Sequence, residues 1–241
     1  MLFLSFADII PGGSPAITPG SDVVRLGSPG WAAVCLALLL GASIYPAQTP
    51  PAVPCVTFTK TLVGSTPEYL SLSIDANGKG TYDSHKLGDP AALRPLQISA
   101  ETTAQIFSLT QSLNYFRSGN LDSHHRVADM GLKILTYQDT RETNKVQFNY
   151  SENRSAQQLA DNFEKISNVE ERIAQLDYAM KYDHLSLPQV LRQVQYGMEN
   201  SYFVEAALMI PTLEKISADP HYLHLAQSRA REIEQRIQKN K

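Results

Sequence analysis

The residues best suited to chemistry gather in one polar stretch. Asp122, His124, His125 and Asp129 lie within Asn120–Asp129. Imidazole and carboxylate together suit zinc and similar ions. Adjacent histidines converge on one ion only where the loop folds sharply, however, and the HExxH spacing that places two imidazoles on one helical face is absent. The expectation is therefore a solvated loop with no metal, in which Asp129 caps the turn entering a strand at Leu132. These four residues are the ones to inspect for a metal.

Other candidates are weaker. His221 and His224 stand three apart near the start of a C-terminal helix, with no third ligand in view. Serines, histidines and aspartates occur, but no GxSxG context presents a serine as a nucleophile. Gly78 and Gly80 belong to a hairpin and not to a phosphate loop, because no strand-to-helix transition follows them. Of the two cysteines, Cys35 and Cys55, the first lies in an apolar run that export would remove, leaving Cys55 without an internal partner. The expectation is no catalytic residue, no cofactor site and no cofactor.

Totals bound the rest. With 43% hydrophobic and 19% charged residues, the 241-residue chain is globular in composition and not disordered. Net charge is −3 and no basic run occurs, whereas phosphate backbones demand clustered Lys and Arg, so nucleic acid is excluded as a partner.

The N-terminal region reads as an export signal. Trp31–Leu40 is uncharged, Gly41-Ala42-Ser43 offers small residues for a signal peptidase, and Ala47 offers a second site. The apolar run 31–44 is shorter than the ~20 residues that cross a bilayer. A retained anchor, with the run extended to Tyr45, is the alternative. Arg25 supplies the positive flank, and the preceding Pro/Gly/Ser-rich residues suggest a true start at Val23 or Val24. The expected location is periplasmic or secreted.

Downstream, residues 48–54 form a Pro-rich linker, since proline fixes φ and denies helix. Cys55–Val63 reads as a strand. Glu68–Asp75 alternates, with Leu70, Leu72 and Ile74 on one side, and Asn77-Gly78 turns the chain into Lys79–Asp83. His85–Pro95 reads as a Gly/Pro loop. Ser99 caps a helix over Ala100–Arg117 that Gly119 ends. A second hairpin pairs Leu132–Gln138 with Lys145–Tyr150.

From Ser155 the period becomes helical. Leu159, Phe163, Ile166, Val169, Ile173, Leu176 and Met180 form one long stripe. Its front is expected on the sheet and its back on later helices, with Ser167-Asn168 the place for any bend. Further helices begin at Pro188, at Tyr202 (kinked by Pro211) and at Asp219-Pro220. The fold class is α+β: an antiparallel sheet of two hairpins with an intervening helix, ββαββ, over residues 55–152, and about four helices over 153–241 packed on it.

Ser71–Asp83 (SLSIDANGKGTYD), the capped helix after Ser99 and Asp129–Asp139 (DMGLKILTYQD) together resemble a family of uncharacterised secreted bacterial ββαββ domains, over about residues 70–150. That resemblance implies the fold and no activity. Met209–Ile237 is similar to a single HEAT-type helical pair, short of the three units a solenoid needs. The function expected is a non-enzymatic binding protein whose partner is a protein or envelope component, with membrane contact only if the apolar run is retained. The alternative is a hydrolase or metal-dependent enzyme whose site assembles from distant residues.

Overall fold

A computed structural model describes residues 53–117, 119–123 and 125–239. The export signal, the start site and most of the Pro-rich linker lie outside them. Six strands form one antiparallel sheet: β1 (Cys55–Thr61), β2 (Tyr69–Asp75), β3 (Lys79–His85), β4 (Arg94–Gln97), β5 (Leu132–Gln138) and β6 (Thr143–Phe148). Five α-helices accompany them: α1 (Ala100–Ser112), α2 (Arg154–Tyr182), α3 (Leu187–Glu199), α4 (Ile210–Ala218) and α5 (His224–Lys239).

The fold is α+β, but two isolated hairpins do not describe the sheet. Its order is β4-β3-β2-β1-β5-β6, so β1 is the seam that joins one hairpin to the other. Val56 stands opposite Ile74 on one side and Tyr137 on the other, and Phe58 opposite Leu72 and Leu135. β4 lies where the sequence suggests only loop. It is a short edge strand that pairs with β3 alone, a position where Pro95 is tolerated because one side of the strand needs no ladder donor.

Turn chemistry sets the registers. Asp75 accepts at its main-chain oxygen from Gly78 N (2.9 Å), while its Oδ1 takes the N–H groups of Asn77 and Lys79. Gly78 has φ +76°, and a Cβ there would stand 2.8 Å from both Ile98 O and Thr103 Oγ1. Glycine is thus required twice, for the left-handed turn and for the approach of α1. At the second hairpin Asp139 Oδ1 receives Arg141 N and Glu142 N, which starts β6 at Thr143, ahead of the expected Lys145.

The helices depart from their expected bounds where backbone geometry changes. α1 is capped by Ser99 Oγ but stops at Ser112; a 3-10 turn with positive φ at Asn114, Tyr115 and Phe116 follows, so Gly119 plays no part in ending it. α2 runs without a break through Ser167-Asn168, capped by Asn153. Pro211 sits in the first turn of α4, where its missing N–H would have no helical acceptor anyway, and so kinks nothing. Residues 202–205 before it are not helical. α5 starts at His224, leaving Leu223 exposed.

α2 holds the two cores together. Ala156, Leu159, Phe163 and Ile166 pack into the sheet core with Val56, Phe58, Leu72 and Leu135, and Phe163 stacks on Phe58 at 5.4 Å. Val169, Leu176 and Ala179 pack instead with Leu191 and Val194 of α3, Leu213 of α4 and Ile233 of α5. At 29 residues the helix is ~43 Å long, more than the ~24 Å width of six strands, so its far half needs the other helices to bury its stripe. The opposite face of the sheet carries short hydroxyl side chains: Thr57, Thr59, Ser71, Ser73, Thr81 and Thr136.

Candidate functional site

Of the four residues singled out for metal chemistry, Asp122 and Asp129 hold the backbone. Asp122 Oδ1 accepts from Ser123 N, Asn149 N and Tyr150 N at 3.2, 3.0 and 3.3 Å, pinning the end of β6. Asp129 Oδ1 takes Gly131 N at 2.9 Å, the cap of the turn into β5. His125 is 82% exposed and reaches Glu152 Oε1 at 3.5 Å, and His124 lies outside the described residues. Among the described residues no group of three or more His, Cys, Asp or Glu is arranged to hold a metal ion. His221 precedes α5 and bonds Asp219, so it shares no helical face with His224.

Folding does bring other groups together. Asp83 is buried on β3 and accepts from His85 Nδ1 or lies against it at 3.1 Å, with Tyr69 stacked on the imidazole. Asp83 also takes Ala92 N, tying down the loop before β4. The Cys55 thiol contacts Ser73 Oγ at 2.9 Å within the hydroxyl face. Neither cluster lines the groove described next.

That groove follows α2. Glu164, Ser167, Asn168 and Glu171 recur at helical spacing and form its floor. On one side Lys60 and the loop Leu62–Glu68 close a cleft of about 170 Å³. On the other, Tyr196 and Gly197 of α3 with Tyr202-Phe203 close a second of about 330 Å³. Asn168 and Glu171 line both clefts, so the two share part of the α2 face and are taken together as one groove. The second cleft lies within the ~300–1,000 Å³ typical of ligand pockets.

Its aromatic wall is built with care for geometry. Tyr196 and Tyr202 meet edge to face at 6.1 Å and remain 58% and 48% exposed. Phe203 lies flush against α3 because residue 197 is glycine; a Cβ there would stand 2.3 Å from its Cζ. Ser201 (φ +57°) and Glu205 (φ +67°) bracket Tyr202–Val204 in left-handed backbone that side chains disfavour. Strain of this kind persists only where surroundings enforce it. Here Asn168 Nδ2 donates to Tyr202 O (3.1 Å), Tyr202 N donates to Gly197 O (2.9 Å), and Ser99 Oγ donates to the Glu205 carboxylate.

The charges of the groove are distinct in kind. Lys60 Nζ and Glu164 Oε1 pair at 3.1 Å. Glu68 accepts Gly64 N and Leu87 N, and these backbone donors hold its carboxyl below the ordinary range. Burial pushes the Glu171 carboxyl up, with neighbouring Arg172 opposing. Among the described residues Glu171 has neither a hydrogen-bond donor nor an ion-pair partner, while Arg172 Nη1 donates to Gln193 Oε1 at 2.7 Å. Beneath, Glu170 is buried and likewise pushed up by burial, with Arg94 3.9 Å away.

No histidine or cysteine is found among the described residues lining either cleft. The groove therefore offers aromatic faces, forked polar groups and one unengaged carboxyl, a set suited to holding a ligand. Sequence reasoning missed it. Glu164, Asn168 and Glu171 read as the solvated face of an amphipathic helix, and the sole local signal is Tyr196, an aromatic among the polar residues Arg192, Gln193 and Gln195. No protein-family model matches this chain, and no curated protein is similar enough to count as a match.

Proposed function

We propose that this is a non-enzymatic binding protein, exported to the envelope or secreted fraction, that captures an extended ligand in the groove along α2. The observation that carries the reading is the aromatic wall. Two half-exposed tyrosines, Tyr196 on helix α3 and Tyr202 on a segment bracketed by left-handed residues, stand beside Glu171, whose carboxyl no donor engages among the described residues. Large amphipathic rings held rigid lose little entropy on binding, and so are efficient contact surfaces. The export half of the proposal rests on the uncharged run Trp31–Leu40 and its small-residue cleavage site. Among the described residues no helix is long and apolar enough to cross a membrane.

Glu171 favours a second reading, in which its raised carboxyl serves as a general acid. The Lys60–Glu164 pair beside it would then orient a substrate. That chemistry still requires an activated nucleophile, and among the described residues no serine or threonine hydroxyl of the first cleft is hydrogen-bonded to a carboxylate there, Ser65 donating instead to Leu62 O and Pro67 O.

The deciding experiment is a fragment screen observed on the isotope-labelled protein by NMR. Hits are expected to perturb Asn168, Glu171, Tyr196 and Tyr202, and to vanish in a Tyr196→Ala/Tyr202→Ala variant that melts at the parental temperature. Both residues are half exposed, so the variant retains its core. Hits that map to the hydroxyl face of the sheet and survive in the variant would sink the groove reading.

A further inference from the structure

Resting on the groove as the binding site, we infer that its ligand is a neutral, hydroxyl-rich chain, a short oligosaccharide stacked on Tyr196 and Tyr202 and hydrogen-bonded by Asn168, Glu171, Arg172 and Gln193.

The aromatic rings come first. Tyr82, Tyr115 and Tyr182 each carry a cation of the same chain over the ring, from Arg94, Arg117 and Lys181. Among the described residues no such cation covers Tyr196 or Tyr202, whose rings stay open to the second cleft. A sugar ring is amphipathic in the complementary sense: one face is a patch of C–H groups that packs on an aromatic face, and its rim is hydroxyl.

The polar groups match the rim. Carboxylate, carboxamide and guanidinium are planar forks that engage two neighbouring hydroxyls at once, accepting, donating or both. The groove supplies all three kinds side by side. Glu171 accepts, Arg172 donates through the N–H groups its bonds to Gln175 and Gln193 leave over, and the two carboxamides do both.

Charge selects a neutral ligand. Lys60 offsets Glu164, Arg172 stands beside Glu171, and Glu68 is held by backbone N–H groups near Lys86. The charged side chains lining the groove, Lys60 and Arg172 against Glu68, Glu164 and Glu171, leave an excess of one negative charge, too small a field to draw a polyanion or a polycation. A peptide bound by strand pairing would need main-chain partners for its own N–H and C=O groups, which leaves a polyproline segment as the peptide to test against. The walls of the second cleft are mostly helices α2 and α3, whose main-chain groups are spent within the helix. From Glu164 to Arg172 the floor runs ~12 Å, the reach of a short chain of rings.

The test titrates the labelled protein with three neutral probes, cellohexaose, maltohexaose and the hexamer of N-acetylglucosamine, and with decaproline as the peptide competitor. At least one sugar is expected to shift the side-chain amides of Asn168 and Gln193. Its affinity should fall about tenfold in Tyr196→Ala and in Tyr202→Ala, and hold between about 0.1 M and about 1 M salt, where the screening length drops from ~10 to ~3 Å. Melting temperatures unchanged by either substitution separate lost contact from lost fold. Groove-directed fragments without any sugar response overturn the ligand class and leave the groove standing. Decaproline in the groove with no sugar there overturns it in favour of a peptide. A sugar bound elsewhere, or one whose affinity collapses with salt, overturns it too. If neither fragments nor sugars reach the groove, the groove reading itself falls.

Discussion

Truncating Phe163 tests whether sheet and helices unfold as one body. Its ring is fully buried, stacked on Phe58 in the sheet core, and Leu176 is equally buried in the helical core further along α2. Phe→Ala in such a site costs ~3–5 kcal/mol and Leu→Ala ~2–5 kcal/mol, against a total stability of ~5–15 kcal/mol. In a domain of this size each kcal/mol moves the midpoint by ~2–4 °C, so Phe163→Ala should lower it by ~6–20 °C. Leu176→Ala should lower the same midpoint by a comparable amount. The two sites are thirteen residues apart on one helix, ~20 Å, far enough for their effects to add. Calorimetry with parallel far-ultraviolet dichroism reads this out: one transition in each protein, shifted by either substitution. Two transitions, with Phe163→Ala moving only one and Leu176→Ala only the other, would refute the spine and make the C-terminal helices a separate module.

Two further outcomes follow from the structure and a third from the sequence. Glu171→Gln should flatten the pH dependence of stability: burial raises the parental carboxyl, so its contribution is complete below the ordinary carboxylate range and is lost as pH rises through the raised value. The variant should therefore melt higher than the parent at neutral pH and alike near pH ~4, and parallel melting curves across that range would contradict the assignment. Asp122→Ala removes the acceptor of three backbone N–H groups at an exposed site where water can replace it, and should cost ~0.5–1.5 kcal/mol in denaturant titration. Added zinc should leave parent and variant equally unaffected; a zinc-dependent rise in the parent alone would restore the metal reading. The exported form should begin near Ile44 or Gln48 and so lack Trp31, the chain's single tryptophan. Tryptophan fluorescence from native protein, or a mass that includes residues 31–43, would show that the run is retained.

Much of this architecture can be read residue by residue, because its causes are short-range. Leu70, Leu72 and Ile74 alternate since a strand repeats every two residues, and Asp75 with Gly78 closes the turn through bonds spanning at most four residues. The α2 stripe, the Ser99 and Asn153 caps and the turn at Asp129 are of the same kind. The partners of Asp122 are not legible in the same way: it stands two residues before His124 in sequence but bonds Asn149 and Tyr150, residues that only the closed sheet brings near.

What the chain alone determines, then, is most of the strand and helix segments and the face each one buries. The edge strand β4 and the non-helical residues 202–205 escape it, because a short edge strand and a strained turn are set by tertiary neighbours. Partners across long loops are another matter. β1 lies between β2 and β5, although seventy residues separate it from β5, because Val56 and Phe58 must be covered on both flanks to leave water. Lys133 points into the helix side of the sheet since Leu135 and Tyr137 dictate the register, and burial lowers its ammonium while Met130 O and Asn149 O receive it. The groove belongs wholly to this second level. Glu171, Tyr196 and Tyr202 are ordinary polar-face residues until α3 packs on α2, and Gly197 lets Phe203 lie close enough to close the wall. Periodicity records how a residue faces its own element, and a binding site depends on how elements face one another.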